Sequence, residues 1–421
     1  MECKRILKDQ KAELEEMMKD KKIVEREAQT NFKYIISSKL IKITAGVRRC
    51  GKSVFTYNIL KNKFGYVNFD DERLININPE EVLSTLIEIY GEDLKTIFFD
   101  EIQNLENWEL FVNRLKRQGY NIFITGSNSK LLNKELATHL TGRHLSMEIY
   151  PFSFREYLTA INFDKDLETT KGHALLKHEL ENYVFNGGFP EIIVEKENPK
   201  IYLRELYRKI VDRDIISRHN IAYRKTFKEI SLSLLSNPGR TVSYNKLKKQ
   251  FNLGSEHTTK NYLSYLEEAY LFLPLSKFSY KPKEIEKSEK KVYIIDSGIV
   301  NHVSIRTNID FGFLLENVVA IELFRKKSFN PDLSLYYFRD YQQREVDFVL
   351  KEGLKIKQLI QVCYSLEDYN TKEREIKSLL KASKELKCNN LLIISWDEED
   401  EIKEKGKNIK VVPLWNWLVF N

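Results

Sequence analysis

What this chain lacks narrows it first. No apolar run approaches the roughly 18 residues of a membrane-spanning helix, and no membrane partner is expected. The opening stretch, MECKRILKDQKAELEEMMKDKK, has no apolar core of the signal-peptide kind, so the expected location is cytoplasmic. Cysteine is scarce. Cys3, Cys50, Cys363 and Cys388 stand far apart with no C-x-x-C pair, which indicates neither a zinc site nor a disulfide framework. With 9 prolines and 16 glycines the chain holds no low-complexity linker, and no internal repeat is found. What remains is a globular composition, 42% hydrophobic and 31% charged, over 421 residues, a length that predicts two or three domains. A formal charge of +7 permits a nucleic-acid partner without requiring one.

The most informative stretch is LIKITAGVRRCGKS, residues 40–53. It reads as a short apolar strand, a loop, and a helix beginning near Lys52, which is the context that gives G-x-x-x-x-G-K-[ST] its meaning. Glycines let the backbone curl so that its N–H groups converge on phosphate oxygens, and the helix N-terminus adds favourable partial charge. Gly46, Val47, Arg48, Arg49, Cys50, Gly51, Lys52, Ser53 and Val54 are therefore the expected phosphate cradle. Lys52 would reach the terminal phosphates of ATP and the Ser53 hydroxyl would ligate Mg²⁺. Cys50 lies inside the loop, either as an oxidation-sensitive position or as a chance occupant of a tolerant one.

Thr96-Ile-Phe-Phe-Asp100-Glu101 is the second such stretch, a buried strand with two carboxylates at its end. In a nucleotide site Asp100 would hold Mg²⁺ through water, and Glu101 would orient and polarise the attacking water. The pair follows Lys52 by 48 residues, room for one or two βαβ-sized excursions. Asp70, Asp71, Glu72 and Arg73 follow another strand, placed either for ligand binding or for capping. A further strand, residues 120–124, ends in Thr125-Gly-Ser127-Asn128-Ser129, polar side chains suited to sensing a γ-phosphate. Gly142 exposes Arg143, which reads either as a guanidinium offered to a neighbouring subunit's phosphate or as a surface arginine.

GVRRCGKS, YVNFDDERL, IFFDEIQN, FITGSNSKLL, TGRH and PFSFREYL together resemble the prokaryotic AAA+-type ATPases, in the branch that joins the ATPase to a winged helix and a nuclease-like C-terminal domain. The resemblance spans nearly the whole chain. It implies an α/β fold: a P-loop NTPase parallel sheet, a helical lid, a winged-helix module and a C-terminal α/β restriction-endonuclease-like domain. The expected divisions are an N-terminal helix (1–32), the ATPase core (33–150), the lid (151–222), the winged helix (223–300) and the nuclease-like domain (301–421). It also implies Asn128 as the sensor, Arg143 as an arginine acting in trans, and self-association, as a hexamer.

Residues 2–30 predict one charged helix with a thin apolar stripe. Residues 151–222 predict helices, with Asn186-Gly187-Gly188 as a sharp turn. Residues 201–300 carry 19 lysines and arginines against 11 acids, about the whole chain's surplus in one module. Within it, a helix through Lys246, Leu247 and Phe251, a turn at Asn252-Leu-Gly254 and a second helix over 255–269 form a helix-turn-helix pattern. Ser255, His257, Thr258, Thr259 and Lys260 would face a DNA groove. Residues 271–278 and 290–295 read as a wing hairpin.

Residues 312–421 read as α-β-β-β-α-β. With Asp347 on a strand, this order resembles the PD-(D/E)XK nuclease fold, but 14 residues on, where that family carries Glu-x-Lys, stands Gln361-Val-Cys363. Gln supplies no anionic ligand, and a thiol does not stabilise a cleaved phosphate as lysine does. Glu316 and Asp347 remain as weak metal ligands, with Lys355 or Lys357 as a replacement lysine. The expected function is an ATP-hydrolysing ATPase that couples nucleotide state to rearrangement of a DNA-binding C-terminal region. The alternatives are a nucleotide-controlled regulator or scaffold for protein partners, and an ATP-dependent nuclease.

Overall fold

The computed structural model describes residues 2–20, 22–61, 64–127, 142–305 and 310–420. Contacts divide the chain into two compact units: Met1–Tyr150 with Glu268–Tyr270, and Pro151–Glu267 with Leu271–Asn421.

The first unit is built on five strands, β1 (Ile41–Ala45), β2 (Gly65–Asn68), β3 (Thr96–Asp100), β4 (Asn121–Gly126) and β5 (His144–Glu148). They lie in the order β2-β3-β4-β1-β5, and every pairing is parallel. Near-continuous apolar runs such as Ile97-Phe98-Phe99, all fully buried, are what a parallel sheet covered on both faces requires. The chain leaves β1 for the β2 edge, returns through β3 and β4 to one flank of β1, and then crosses to its other flank. Winding reverses at β1, and the carboxyl ends of the strands there form the crevice in which open α/β sheets bind ligands.

The single helix predicted over residues 2–30 is two, with a further short one after it. The long helix is Glu2–Asp20, and short helices follow at Glu27–Asn31 and Lys33–Ser37. The interruption turns Val24 and Arg26 inward, where both are buried. The long helix covers the sheet edge at β2. Gln10 pairs with the Asn68 backbone as a neighbouring strand would, its Nε2 donating to the carbonyl (3.0 Å) and its Oε1 accepting from the N–H (2.9 Å). Such cover removes an open edge that would otherwise invite pairing with another chain. Beneath it, Leu14 and Met18 pack with Phe64, Tyr66, Phe98 and Phe123.

The second unit opens with helices, among them Phe154–Ala160, Thr170–Asn186 and Pro199–Lys209, the last continuing as a π-helical stretch Ile210–Ser217. The Asn186-Gly187-Gly188 turn is fixed by a buried carboxylate. Asp296 accepts from the Gly188 N–H at 2.7 Å, and a Cβ on Gly187 would lie 2.0 Å from the same side chain. Helices Tyr244–Gln250 and Glu256–Glu268 fall where the sequence predicts two successive helices. A small antiparallel sheet accompanies them: β6 (Thr241–Val242), β7 (Phe272–Ser276) and the central β8 (Lys290–Ile294). Ser255, His257 and Lys260 are exposed as expected, but Thr259 is fully buried and faces the core beside Tyr262 and Leu266. A small side chain one position from the exposed row falls on the packed face of a helix.

Six strands follow: β9 (Leu333–Arg339), β10 (Glu345–Glu352), β11 (Lys355–Val362), β12 (Leu391–Ser395), β13 (Asp400–Glu404) and β14 (Lys407–Pro413), in the order β13-β14-β12-β11-β10-β9. β13 and β14 extend the predicted element order by a hairpin, with β14 parallel to β12. The helix Tyr369–Leu386 inserts Ile376, Leu379, Ala382 and Leu386 among Val346, Val349, Leu359 and Ile393. The helix Phe311–Phe329 is bound to β8 through Asn317, which exchanges two hydrogen bonds with the Ile294 backbone, at 2.8 and 2.9 Å.

Leu14→Ala should cost about 2–4 kcal/mol, the usual range for emptying a packed leucine site. Amide hydrogen exchange should then accelerate in β2 and leave β9–β12 unchanged; unchanged exchange in β2 would show that the helix does not support that edge.

Candidate active site

Four strand ends of the parallel sheet converge on one edge, and the residues singled out by sequence divide by edge. After β1 the chain turns at Gly46, where a Cβ would lie 2.1 Å from the Ile149 carbonyl oxygen, so no other residue fits without displacing backbone. Gly51, at φ 93, and Arg49, at φ 67, carry the loop's two left-handed bends. The helix Lys52–Leu60 then begins. Lys52 is buried under the loop, and its ammonium donates to the Gly46 and Val47 carbonyls at 3.1 and 3.0 Å. Val47 and Cys50 are fully buried, Arg48 is half-buried and Arg49 exposed. The Cys50 thiol donates to the Ile149 carbonyl at 3.1 Å, so it packs the loop from behind. Val54 packs against the Phe64–Phe98 cluster and contributes to the core.

Asp100 ends β3 and is the most constrained group of the site. Ser53 Oγ donates to its Oδ1 at 3.0 Å, Thr125 at the end of β4 donates to the same oxygen, and the Tyr66 hydroxyl on β2 donates to Oδ2 at 3.3 Å. Burial pushes the Asp100 carboxyl up, the Glu101 charge adds to this, and the Thr125 and Ser53 bonds oppose both. Glu101 leaves the strand in a left-handed conformation (φ 50), its N–H donating to Thr125 Oγ1 at 3.2 Å and its carboxylate accepting from Gln103. Ser127 is buried at the same edge. Asn128 lies outside the described residues.

Arg143 is elsewhere. Its carbonyl accepts from the Ile41 N–H, and His144 pairs with Ile41, so it sits at the amino edge of the sheet, the far end of β1 from Gly46. Its guanidinium donates to Asn113 at 2.6 Å. Asp71 proves to be a cap: it accepts from the Arg73 N–H at 3.0 Å and pairs with the guanidinium, which holds its carboxyl low, at about 2.

Two residues of the site were missed in the sequence. Arg26, buried, donates to the Cys50 carbonyl at 3.0 Å and also to that of Tyr150, tying the loop to the chain after β5. An arginine between short helices gives no local signal of this. Tyr66 lies in a predicted strand, but only the β2–β3 pairing brings its hydroxyl to Asp100.

The AAA domain profile matches residues 38–158, and two domains of unknown function, DUF8612 and DUF4143, match residues 177–310 and 311–417. The uncharacterized protein MJ1544 of Methanocaldococcus jannaschii is 41% identical over 421 aligned positions, covering 96% of this chain and 92% of that one. The chain belongs to the same family as MJ1544. An uncharacterized protein of Haemophilus influenzae is 32% identical, over 80% of this chain and 85% of its own length. Two solved structures bear a loose likeness to it. A signal-transduction ATPase with a tetratricopeptide repeat sensor, from Pyrococcus horikoshii, has a TM-score of 0.30 at 14% identity, over 72% of this chain and 46% of that one. Cdc6p from Pyrobaculum aerophilum has a TM-score of 0.25 at 13% identity, over 71% and 95%. The first unit is thus an AAA-type domain on a P-loop sheet, and among the described residues no helix is long and apolar enough to cross a membrane.

Because Asp100 takes up a proton more readily folded than unfolded, the charged form opposes folding. That penalty grows as pH rises from the unfolded carboxyl's ordinary value near 3.8 through the raised folded value. Asp100→Asn removes the charge while keeping an acceptor. It should raise the unfolding midpoint, with the gain over wild type larger at pH 7 than at pH 4. A midpoint lowered equally at both would show that the charge is not the cost.

Proposed function

We propose that this family member is an ATP-hydrolysing AAA+-like ATPase. In this reading, nucleotide state drives rearrangement of a DNA-binding winged helix and nuclease-like C-terminal region. The observation that carries the enzymatic part is the Lys52, Ser53 and Asp100 arrangement. A hydroxyl at the first turn of a helix is hydrogen-bonded to a buried strand-end carboxylate, directly behind a loop whose lysine points inward.

Those donors fit Mg²⁺, which favours hard oxygen ligands and is commonly shared between one or two side chains and substrate phosphates. Ser53 and Asp100 would hold it, and it would neutralise charge on the phosphate oxygens. Backbone N–H groups from Gly46 to Val54 would cradle the phosphates, with Lys52 released from the Gly46 and Val47 carbonyls to meet them. Glu101 would orient the attacking water and accept its proton, and Asn128 would sense the γ-phosphate. Arg143 sits at the wrong edge to serve its own loop, which supports action on a neighbouring subunit and self-association, with a hexamer as the assembly the AAA+ resemblance implies. The basic surplus over residues 201–300 and the exposed Ser255, His257 and Lys260 support DNA as the partner.

Lys52→Ala should abolish ATP binding. Glu101→Gln should keep binding while lowering turnover about 100- to 10,000-fold, the range for losing a general base. An intact chain that hydrolyses no ATP, with or without DNA, would overturn the enzymatic reading. DNA binding should weaken steeply with added salt as counterions compete for phosphates, whereas binding indifferent to salt would point to a protein partner.

Arg143→Ala should lower turnover by about 1,000-fold or more. Mixing it with Lys52→Ala chains, which bring an intact Arg143, should restore part of that turnover. No restoration, with assembly intact, would argue against action in trans.

A further inference from the structure

The second unit holds a cluster of buried charge that the ATPase reading does not use. Glu316, on the helix Phe311–Phe329, and Asp347, on β10, have side chains 12% and 10% exposed, and Glu345 precedes Asp347 by two residues on the same strand face. Glu316 and Asp347 are the acids that the sequence marks as possible metal ligands. At their centre lies Lys291, from β8, with its side chain 2% exposed. Its Nζ is 2.9 Å from Glu316 Oε1, 2.6 Å from Glu345 Oε1 and 2.9 Å from Asp347 Oδ1.

The ammonium donates hydrogen bonds to Glu316 and Asp347 and forms a close ion pair with Glu345. Each carboxylate takes a further donor, Glu316 on the oxygen that Lys291 also holds and Asp347 and Glu345 on their other oxygen. Glu316 accepts from the Tyr293 hydroxyl at 2.7 Å, Asp347 from the Val362 N–H at 3.0 Å, and Glu345 from Arg339 at 2.7 Å. Gln361, at the position where the nuclease pattern carries its second acid, spans the site from the other side. Its Oε1 accepts from the Asp347 N–H at 3.3 Å and its amide donates to Glu375. Lys355 and Lys357, the replacement lysines weighed from the sequence, are exposed, and Lys357 pairs with Glu352 at 2.9 Å. Burial by itself would drive the Lys291 ammonium toward neutrality, but Asp347, Glu316 and Glu345 overcome it and hold the ammonium well above the ordinary lysine range.

We propose that Lys291 is the permanent cation of this carboxylate cluster: it stands where a divalent metal would, so the site binds no metal, and it clamps the central strand of the small sheet to the C-terminal sheet. Two neighbours strengthen the clamp. Tyr293, two residues along the same face of β8, bonds Glu316, and Asn317 of the same helix closes on the Ile294 backbone. Gly239 makes room, since a Cβ there would lie 2.9 Å from Glu316 Oε1. The helix-turn-helix region and the six-stranded sheet are thereby joined through charge supplied by the chain itself. This inference is independent of the ATPase reading.

The test is Mn²⁺ binding by the full-length chain without nucleotide, counted by electron paramagnetic resonance. In the wild type, Asp347→Asn should leave the count unchanged. Lys291→Met should gain one Mn²⁺ per chain, and adding Asp347→Asn should remove it. Mn²⁺ should also raise the unfolding midpoint of Lys291→Met by several degrees and leave the wild type unmoved. If Lys291→Met does not fold in chelator, Mn²⁺ should restore its cooperative transition, or that of Lys291→Met/Glu345→Gln, which carries less uncompensated charge. A wild-type Mn²⁺ site that depends on Asp347 would overturn the proposal. So would failure of Mn²⁺ to bind or to stabilise either Lys291 variant.

Discussion

An ionised carboxylate taken out of water must find partners inside the protein, and much of the first unit is arranged to supply them to Asp100. Its three direct donors are hydroxyls from three different elements: Ser53 at the start of the helix after β1, Thr125 at the end of β4 and Tyr66 on β2. Only a parallel sheet brings these together, because it delivers strand ends to one edge whatever the distance in sequence. The dependence runs further. Tyr66 reaches Asp100 only if β2 holds its place at the sheet edge, and β2 is held by Gln10 and the cluster around Leu14 and Met18. The N-terminal helix therefore supports the site although none of its residues enters it.

The parts of this site that were legible in the sequence are those whose signal is contiguous. Strand, glycine loop and helix follow one another from Ile41 to Leu60, and Thr96 to Glu101 is an apolar run ending in two acids. Each is local chemistry at fixed spacing. What was hidden depends on pairing across the chain. Arg26 holds the Cys50 carbonyl from a segment that read as part of a solvated helix, and that helix breaks after Asp20 so that Arg26 can turn inward. Thr259 was assigned to an exposed row by its polarity, yet helical geometry puts it on the packed face. In the second unit, Lys291 sits inside Lys-Lys-Val-Tyr-Ile-Ile, where a lysine in an apolar strand was the one available hint. Which acids it meets was fixed by how β8 packs on β10 and the helix Phe311–Phe329.

Both units obey one electrostatic rule and resolve it in opposite ways. Bringing carboxylates together in a dry site is tolerable only if positive charge accompanies them, and a buried ammonium supplies such charge from within the chain. Around Lys291 the compensating charge comes from within the chain, the ammonium pairing with Glu316 and Asp347 and Arg339 with Glu345. The neutral residues at Gln361 and Cys363 follow the same logic. With the cationic position filled, a second acidic ligand would add uncompensated charge, while the Gln361 amide bonds Asp347 and Glu375 without adding any.

Asp100 presents the other case. Its direct partners are neutral, its own neighbour Glu101 is a like charge, and Lys52 spends its ammonium on the loop carbonyls. The negative charge is hydrogen-bonded and only partly offset by Lys52, and burial and Glu101 outweigh that help. A site left in this condition favours the arrival of a cation and of a ligand that brings one with it. Burial and acidity are common to both clusters. What separates the candidate catalytic centre from the structural clamp is whether the compensating charge is already built into the fold.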